Sequence, residues 1–440
     1  MERKLIIDLN TNRFKLLLSI SSGMLLGLAY PPVPAGFLAT FCFVPFFVLL
    51  EKIDNHRDAF KYSYITFLFF CIVTSYWVGA FNIAKHWYLM LTGTGLIIII
   101  PLFLYLVVVS WLFCRRLFGK LSFFTFPFMW VSLEYLLTQT ELSFPWLTLG
   151  NTQTYDLSAI QFASYTGVFG LSFWLLWINV LIYFLYSKLK SAEWKWMSIK
   201  SIGSVILIAC VYFLPKLYGS AVLKNQNHDW LASANTVRVG VVQPDIDPYI
   251  KWEGNVKQQL STLEELTDKV KGKDVDLVVW PETSIPTYLL LPDNYEYLNR
   301  IRNQVDSLNI SLLAGITDWI YYDDAATAPK SSKWMKGGRR YDIYNTGILF
   351  EPHSELVQKY AKMLLVPFAE RIPWAEELSI LNLDVIRWNF GASGYGIGKN
   401  TTVFKCQTRN SVETKFSILI CYESVFPAFV SNLVRKGAQF

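Results

Sequence analysis

Apolar runs recur through the first half of the chain, near 14–30, 35–51, 60–83, 87–113, 120–138, 158–187 and 201–217, parted by short polar or Pro-containing connectors. Most approach the roughly 20 residues that an α-helix needs to cross about 30 Å of hydrocarbon, so the pattern predicts seven membrane spans. From Thr236 the pattern changes. TVRVGVVQ (236–243), DVDLVVW (274–280), ISLLAGI (310–316), YNTGILF (344–350) and FSILICY (416–422) are short β-rich runs, which predicts strands buried on both faces. Residues 256–272 space Leu and Val at helical intervals among Glu and Lys, as an amphipathic helix packed on a sheet would. The polar, Gly-containing stretch 325–340 reads as a surface loop. The expected organisation is a transmembrane helical domain over 1–217, a linker over 218–235 and an α/β domain over 236–440.

Composition supports that division. The 440 residues are 53% hydrophobic and only 17% charged, too apolar for an ordinary soluble chain of this size. The net charge of +6 is modest, and Lys and Arg stand at segment ends rather than along one stripe, which excludes a nucleic-acid binder. If seven spans alternate sides, fourteen basic residues fall on one side and Lys85 alone on the other. The positive-inside rule then puts the N-terminus in the cytoplasm and the second half outside. The first run follows a polar lead and ends in Leu-Ala-Tyr-Pro-Pro, so it reads as a span rather than a cleaved signal.

Cys42, Cys71, Cys114 and Cys210 lie in apolar runs, as small hydrophobes do, leaving Cys406 and Cys421 in the polar half. There is no CxxC or HExxH, and the four histidines are scattered, so neither a metal, another cofactor nor a His-based triad is expected.

Three positions at or just past strand ends carry candidate chemistry: Glu282 in VVWPETSIP, Lys362 in QKYAKMLLVPFAERIP and Cys421 in SILICYESVF. A cysteine attacks as thiolate, and in water its proton would pass to a glutamate uphill by roughly 5–6 kcal/mol. A site that raises the glutamate by burial and lowers the thiol with an ammonium closes that gap. Lys362 and the Tyr422 N–H would also stabilise the oxyanion of an acyl-transfer intermediate. Singly, each residue has an ordinary reading: Cys421 as a buried strand cysteine or a disulfide partner of Cys406, Glu282 as a turn residue, Lys362 as a surface lysine.

Together the three contexts resemble the nitrilase superfamily: Pro-Glu after a strand, Tyr-x-Lys before an apolar run, and Cys-Tyr-Glu after a strand. The longer strings VQPDIDPYIKWE, WPETSIP, YAKMLLVPFAERIP and ICYESVF, with FPWLTLGNTQ in the apolar half, resemble the apolipoprotein N-acyltransferase family in order and spacing. The resemblance spans nearly the whole chain. It implies a multi-span α-helical membrane domain followed by an extracytoplasmic α/β nitrilase-like (α-β-β-α sandwich) domain in a bacterial inner membrane.

The implied reaction is ping-pong: an acyl chain passes from a phospholipid to Cys421, then to the α-amino group of a diacylglyceryl-modified apolipoprotein. Glu282 carries over as general base, Lys362 as electrostatic stabiliser, Cys421 as nucleophile and Glu370 as support for the lysine; Trp252, Tyr422 and Glu423 match supporting or substrate-side positions. A membrane-anchored amidase with the same triad, and an inert membrane binding protein, are the alternatives. Ala369 stands where the family commonly has glycine, and Met363-Leu364 where a polar pair is commoner. Because family members continue well past the cysteine strand whereas Phe440 is the last residue here, the sheet domain is expected to be incomplete.

Overall fold

The computed structural model describes residues 11–53, 55–79, 87–225, 236–247, 251–252, 254–335, 337–378 and 394–440. Lys85 and residues 1–10, used in the charge count, lie outside the described residues. The chain divides into two compact units, Met1–Ser233 and Ala234–Phe440.

In the first unit every apolar run is helical, but not as seven full-length spans. α1 (Asn12–Leu28) is capped by Thr11, whose side chain accepts from Phe14 N. With 17 residues it reaches about 25 Å at 1.5 Å per residue. The second run is a 3-10 segment, Gly36–Thr40, followed by the eight-residue α2 (Val44–Glu51). α3 (His56–Ser75) and α4 (Trp87–Phe118) follow, and the fifth run is again a 3-10 segment leading into the 13-residue α5 (Phe126–Thr138). In both interrupted runs a proline sits in the first turn of the α-helix, where its missing N–H costs nothing and where it cannot extend a helix arriving from upstream. The sixth run breaks into α6 (Leu157–Ile160) and α7 (Ala163–Lys190), and α8 (Ile199–Asn225) extends the seventh into the expected linker. Among the described residues, four helical stretches, 56–78, 90–138, 163–190 and 199–225, are long and apolar enough to cross a membrane. α1 lies close on α3: a Cβ on Gly23 would stand 2.2 Å from Thr66 O, so that crossing requires glycine.

The two ends of this unit differ chemically. At one end Lys15, Glu51, Lys52, Lys120 and Lys190 line a common cavity, and the Arg115 guanidinium donates to Leu50 O and Ile53 O. At the other, Tyr30 Oη donates to Leu147 O, Gln153 donates to Gly36 O, and Trp77 meets Trp146 at 5.7 Å. The last turns of α8 reach that second end, where Lys216 pairs with Asp156 at 2.7 Å. The chain therefore leaves the helical unit opposite its basic end. Between the ends, the buried carboxylate of Glu134 accepts from Trp130 Nε1 and Leu149 N at 2.7 Å, tying the FPWLTLGNTQ segment to α5. A lone carboxylate in an apolar helix was the sequence signal for this contact.

The second unit is built on one sheet: β1 (Val239–Val241), β2 (Leu277–Val279), β3 (Ser311–Tyr322), β4 (Lys333–Trp334), β5 (Arg340–Phe350) and β6 (Val357–Ala361). The order is β1-β2-β3-β5, with β4 and β6 both on the far edge of β5. β1, β2 and β3 run parallel; β5 returns antiparallel to β3 over eleven residue pairs. Successive side chains go to opposite faces. Val278, Leu312 and Ile348 pack under α9 (Val256–Asp268) and α10 (Tyr295–Leu308) through Leu260, Leu263, Ile301 and Val305. Leu277, Leu313 and Leu349 face the other way, onto Phe404, Cys406 and Phe416 of the antiparallel pair β7 (Phe404–Gln407) and β8 (Glu413–Phe416). Helices, sheet and strand pair stack as layers.

Three expectations change. β1 is an edge strand, paired among the described residues with β2 alone, and its Val241 is 74% exposed. The 325–340 stretch contains β4, held by two residue pairs to β5. FSILICY is not one strand: the β8 ladder ends at Phe416, and Cys421 opens a 3-10 turn, Cys421–Val425.

Candidate active site

Glu282 is presented by a local excursion of the sheet edge. Trp280 N donates to Leu313 O and Ser284 N to Gly315 O, so residues 281–283 leave the β2–β3 ladder and rejoin it. Pro281 has no N–H to keep them in register, and Thr283 turns the chain at φ 43°. The loop presses on β3: a Cβ on Gly315 would lie 2.5 Å from Pro281 O and 2.7 Å from Glu282 Cα. Gly315→Ala is therefore expected to displace the loop that carries Glu282, a change read by thermal melting beside iodoacetamide labelling of Cys421. Lys251 secures the same loop, donating to Glu282 O and Thr283 Oγ1 at 2.9 Å each.

Lys362 directly follows β6. Its backbone continues that ladder, with Lys362 N donating to Asn345 O at 2.8 Å. The side chain is 1% exposed, and its ammonium donates to Glu370 Oε1 at 2.8 Å and Glu282 Oε1 at 3.2 Å. Burial works against this charge, but the Glu370 and Glu282 carboxylates overcome it and hold the ammonium above the ordinary lysine pKa. Glu370 is fixed in turn by Val366 N at 2.8 Å on its other oxygen.

Cys421 sits at φ 50°, in the left-handed region that costs a non-glycine residue on the order of 1 kcal/mol or more. The fully buried Glu423 holds it there. One carboxylate oxygen accepts from Ile420 N at 2.8 Å; the other accepts from Met363 N at 2.7 Å, Leu364 N at 3.3 Å and the Tyr360 hydroxyl. Glu423 thus joins the residues just before Cys421 to those just after Lys362. Burial pushes its pKa up, against the pull of those donors.

Glu282, Asn345 and Cys421 line one cavity of about 340 Å3, floored by Leu313, Gly315 and Gly347 and walled by residues 418–420. Cys406 and Cys421 are both free thiols, Cys406 buried and Cys421 exposed. Burial, then the Glu282 carboxylate, push the Cys421 thiol above its ordinary pKa; Lys362 and the Tyr422 amide oppose them without prevailing. Lys362 pulls the thiol down as the sequence reading expects, but burial and the Glu282 carboxylate outweigh it.

The other expected residues divide. Glu370 is at the site; Tyr422 is buried with its ring against Phe426 at 4.9 Å. Trp252 is 52% exposed and does not line the cavity. Sequence reading missed Asn345, Lys251 and Tyr360. Asn345 left a signal, a polar residue inside the apolar strand YNTGILF; the lysine and the tyrosine left none beyond their neighbours.

The chain has known relatives in both parts. Residues 22–181 match the family profile described as apolipoprotein N-acyltransferase N-terminal domain, and residues 238–440 match the one described as carbon-nitrogen hydrolase. An apolipoprotein N-acyltransferase of Chlorobaculum tepidum is 35% identical over 434 residues, spanning 96% of this chain and 77% of that protein. Another, from Geobacter metallireducens, is 28% identical over 428 residues, spanning 96% and 75%. Among solved structures, an amidase from Nesterenkonia sp. overlays 46% of this chain and 62% of its own at 16% identity and a TM-score of 0.29. With both halves of its architecture matched in one continuous alignment, the chain belongs to the apolipoprotein N-acyltransferase family.

Proposed function

We propose that this membrane protein transfers a fatty acyl group from a phospholipid, through a thioester on Cys421, to the α-amino group of a diacylglyceryl-modified apolipoprotein. The observation that carries the reading is the cavity in which a carboxylate, Glu282, and a free thiol, Cys421, face the same space above a buried ammonium. Glu282 takes the thiol proton as sulfur attacks the ester carbonyl. The oxyanion is stabilised by the Lys362 N–H left over from its two carboxylates and by the Tyr422 N–H. Collapse breaks the ester C–O bond, and Glu282 returns the proton to the leaving lysophospholipid oxygen. In the second half the acceptor amine attacks the thioester, Glu282 takes the amine proton, and the amide forms as the proton passes back to sulfur. Glu370 keeps Lys362 in place, and Glu423 keeps Cys421 and Lys362 in register.

Both substrates are lipid-anchored, which explains a catalytic unit fused to apolar helices. We place the protein in the bacterial inner membrane with the basic end of the helical unit toward the cytoplasm and the catalytic unit outside. The support is that the chain leaves α8 at the opposite end from the Lys15, Lys52, Lys120 and Lys190 cluster, so the assignment rests on geometry rather than on a count of spans. Phe368, half exposed, and the partly buried Leu364 and Leu365 form an apolar approach beside Lys362. Leu364→Asp with Leu365→Asp is expected to cut acylation from phospholipid vesicles more than tenfold at about 0.8 kcal/mol per methylene, while acylation by a short soluble ester is spared.

The transfer step is tested by adding a diacylglyceryl-cysteine peptide to isolated acyl-enzyme. The expected result is loss of the enzyme adduct with stoichiometric gain of an amide-linked acyl group on the peptide. Release of free fatty acid at the same rate with and without peptide would assign the protein to the amidases instead.

A further inference from the structure

We infer that Asn345 is a positioning residue that divides the work of the two carboxylates, keeping Glu282 the proton carrier and Glu370 the fixed counter-ion of Lys362. This rests on the acyl-transfer reading above. Asn345 is 2% exposed and lies on β5, with its backbone carbonyl taken by Lys362 N. Its amide nitrogen donates to Glu282 Oε1 at 2.6 Å and to Glu370 Oε1 at 3.3 Å. Both partners are carboxylates, which only accept, so the orientation of the amide is fixed: nitrogen toward the acids, oxygen away.

The distances run in complementary order. Lys362 is nearer Glu370, at 2.8 Å against 3.2 Å, whereas Asn345 is nearer Glu282. One ammonium cannot neutralise two partly buried carboxylates, and the two N–H groups of Asn345 supply further donors without adding a charge. Glu370 then accepts at both oxygens, from Lys362 and Asn345 on Oε1 and from Val366 N on Oε2. Glu282 is held at Oε1 alone, and among the described residues its Oε2 takes no hydrogen bond. That oxygen faces the reaction. The groups around Glu282 are Lys362 from β6, Glu370 from the loop after it, Cys421 from the 3-10 turn, and Lys251, whose ammonium sits on the Glu282 carbonyl. Asn345 is the uncharged member of this set that bridges both acids.

A donor to an ionised carboxylate favours the ionised form, so losing the Asn345 amide is expected to show in the acid limb of the reaction. The test uses the full chain in detergent with p-nitrophenyl butyrate as acyl donor, following Cys421 thioester formation by quenched intact-mass measurement between about pH 5 and pH 9. Asn345→Leu is expected to move the acid limb of the acylation rate up by about one pH unit with KM for the ester unchanged. Asn345→Asp, the same shape with a carboxyl in place of the amide, is expected to move it further, since a third acid then competes for Lys362. The Asp variant carries the test should the Leu variant not fold. A uniformly lower rate with the limb unmoved in the folded variant would reduce Asn345 to a packing role and overturn the inference. Absence of any Cys421 adduct in the wild-type chain overturns the acyl-transfer reading and this inference with it, an outcome distinct from an adduct whose pH limb does not respond.

Discussion

Lys362→Met is expected to lower acyl-enzyme formation by about 10³-fold, the scale seen when a donor to a developing oxyanion is removed. The loss has two parts. The leftover N–H that meets the oxyanion disappears, and Glu282 and Glu370 remain as like charges around Asn345 with no cation between them. The sign of the pH effect follows from the neighbours of the thiol. Lys362 is one of the two influences lowering the Cys421 pKa, against burial and the two carboxylates that raise it. Without it the thiol titrates higher still, so residual activity should shift toward alkaline pH, and iodoacetamide should label Cys421 more slowly at neutral pH. Labelling that becomes faster in the variant would contradict this arrangement. Lys362→Arg is expected to rescue little, because a planar fork cannot occupy the tetrahedral position between two Oε1 atoms.

Glu423→Leu is expected to destabilise the catalytic unit by at least about 3 kcal/mol and to abolish acylation even where the unit remains folded. Its carboxylate receives three backbone N–H groups and the Tyr360 hydroxyl, and leucine of similar size leaves all four donors without that acceptor. The left-handed Cys421 then loses the contact that offsets its backbone strain. Glu423→Gln keeps one acceptor oxygen but turns an NH2 toward one of the donors, so an intermediate loss is expected. Tyr360→Phe removes a single donor and should cost about 1 kcal/mol. Chemical denaturation of the three variants, ranked Leu, Gln, Phe in decreasing damage, checks the account.

Both the fold class and the three candidate residues that the fold brings together were legible in sequence for a shared physical reason: each is written in local pattern. Long apolar runs announce helices, and VVWPE, YAK and ICYE place a polar side chain where an apolar run stops. What was not legible depended on pairing between distant segments. That 416–422 is not one strand follows from where the β8 ladder ends, and Glu423 matters because its acceptors meet the chain some sixty residues earlier, at Met363 and Leu364. The breaks inside two of the apolar runs were hidden for a similar reason. The runs at 35–51 and 120–138 are predominantly apolar, yet a 3-10 segment precedes each α-helix, and hydropathy does not register the change. The net direction of the Cys421 shift was missed because burial of the thiol, and the Glu282 carboxylate brought beside it, depend on the tertiary fold, while the lysine's opposing pull is the part that local sequence suggests.

The central claim is that Cys421 accepts an acyl group from phospholipid, and intact-mass spectrometry of the purified chain after incubation with phospholipid vesicles, beside Cys421→Ala, tests it most directly. The account predicts a hydroxylamine-labile adduct of one fatty acyl group on the wild-type chain and none on the variant. A folded wild-type chain with reduced Cys421 and no adduct, or an adduct that persists in Cys421→Ala, would contradict it.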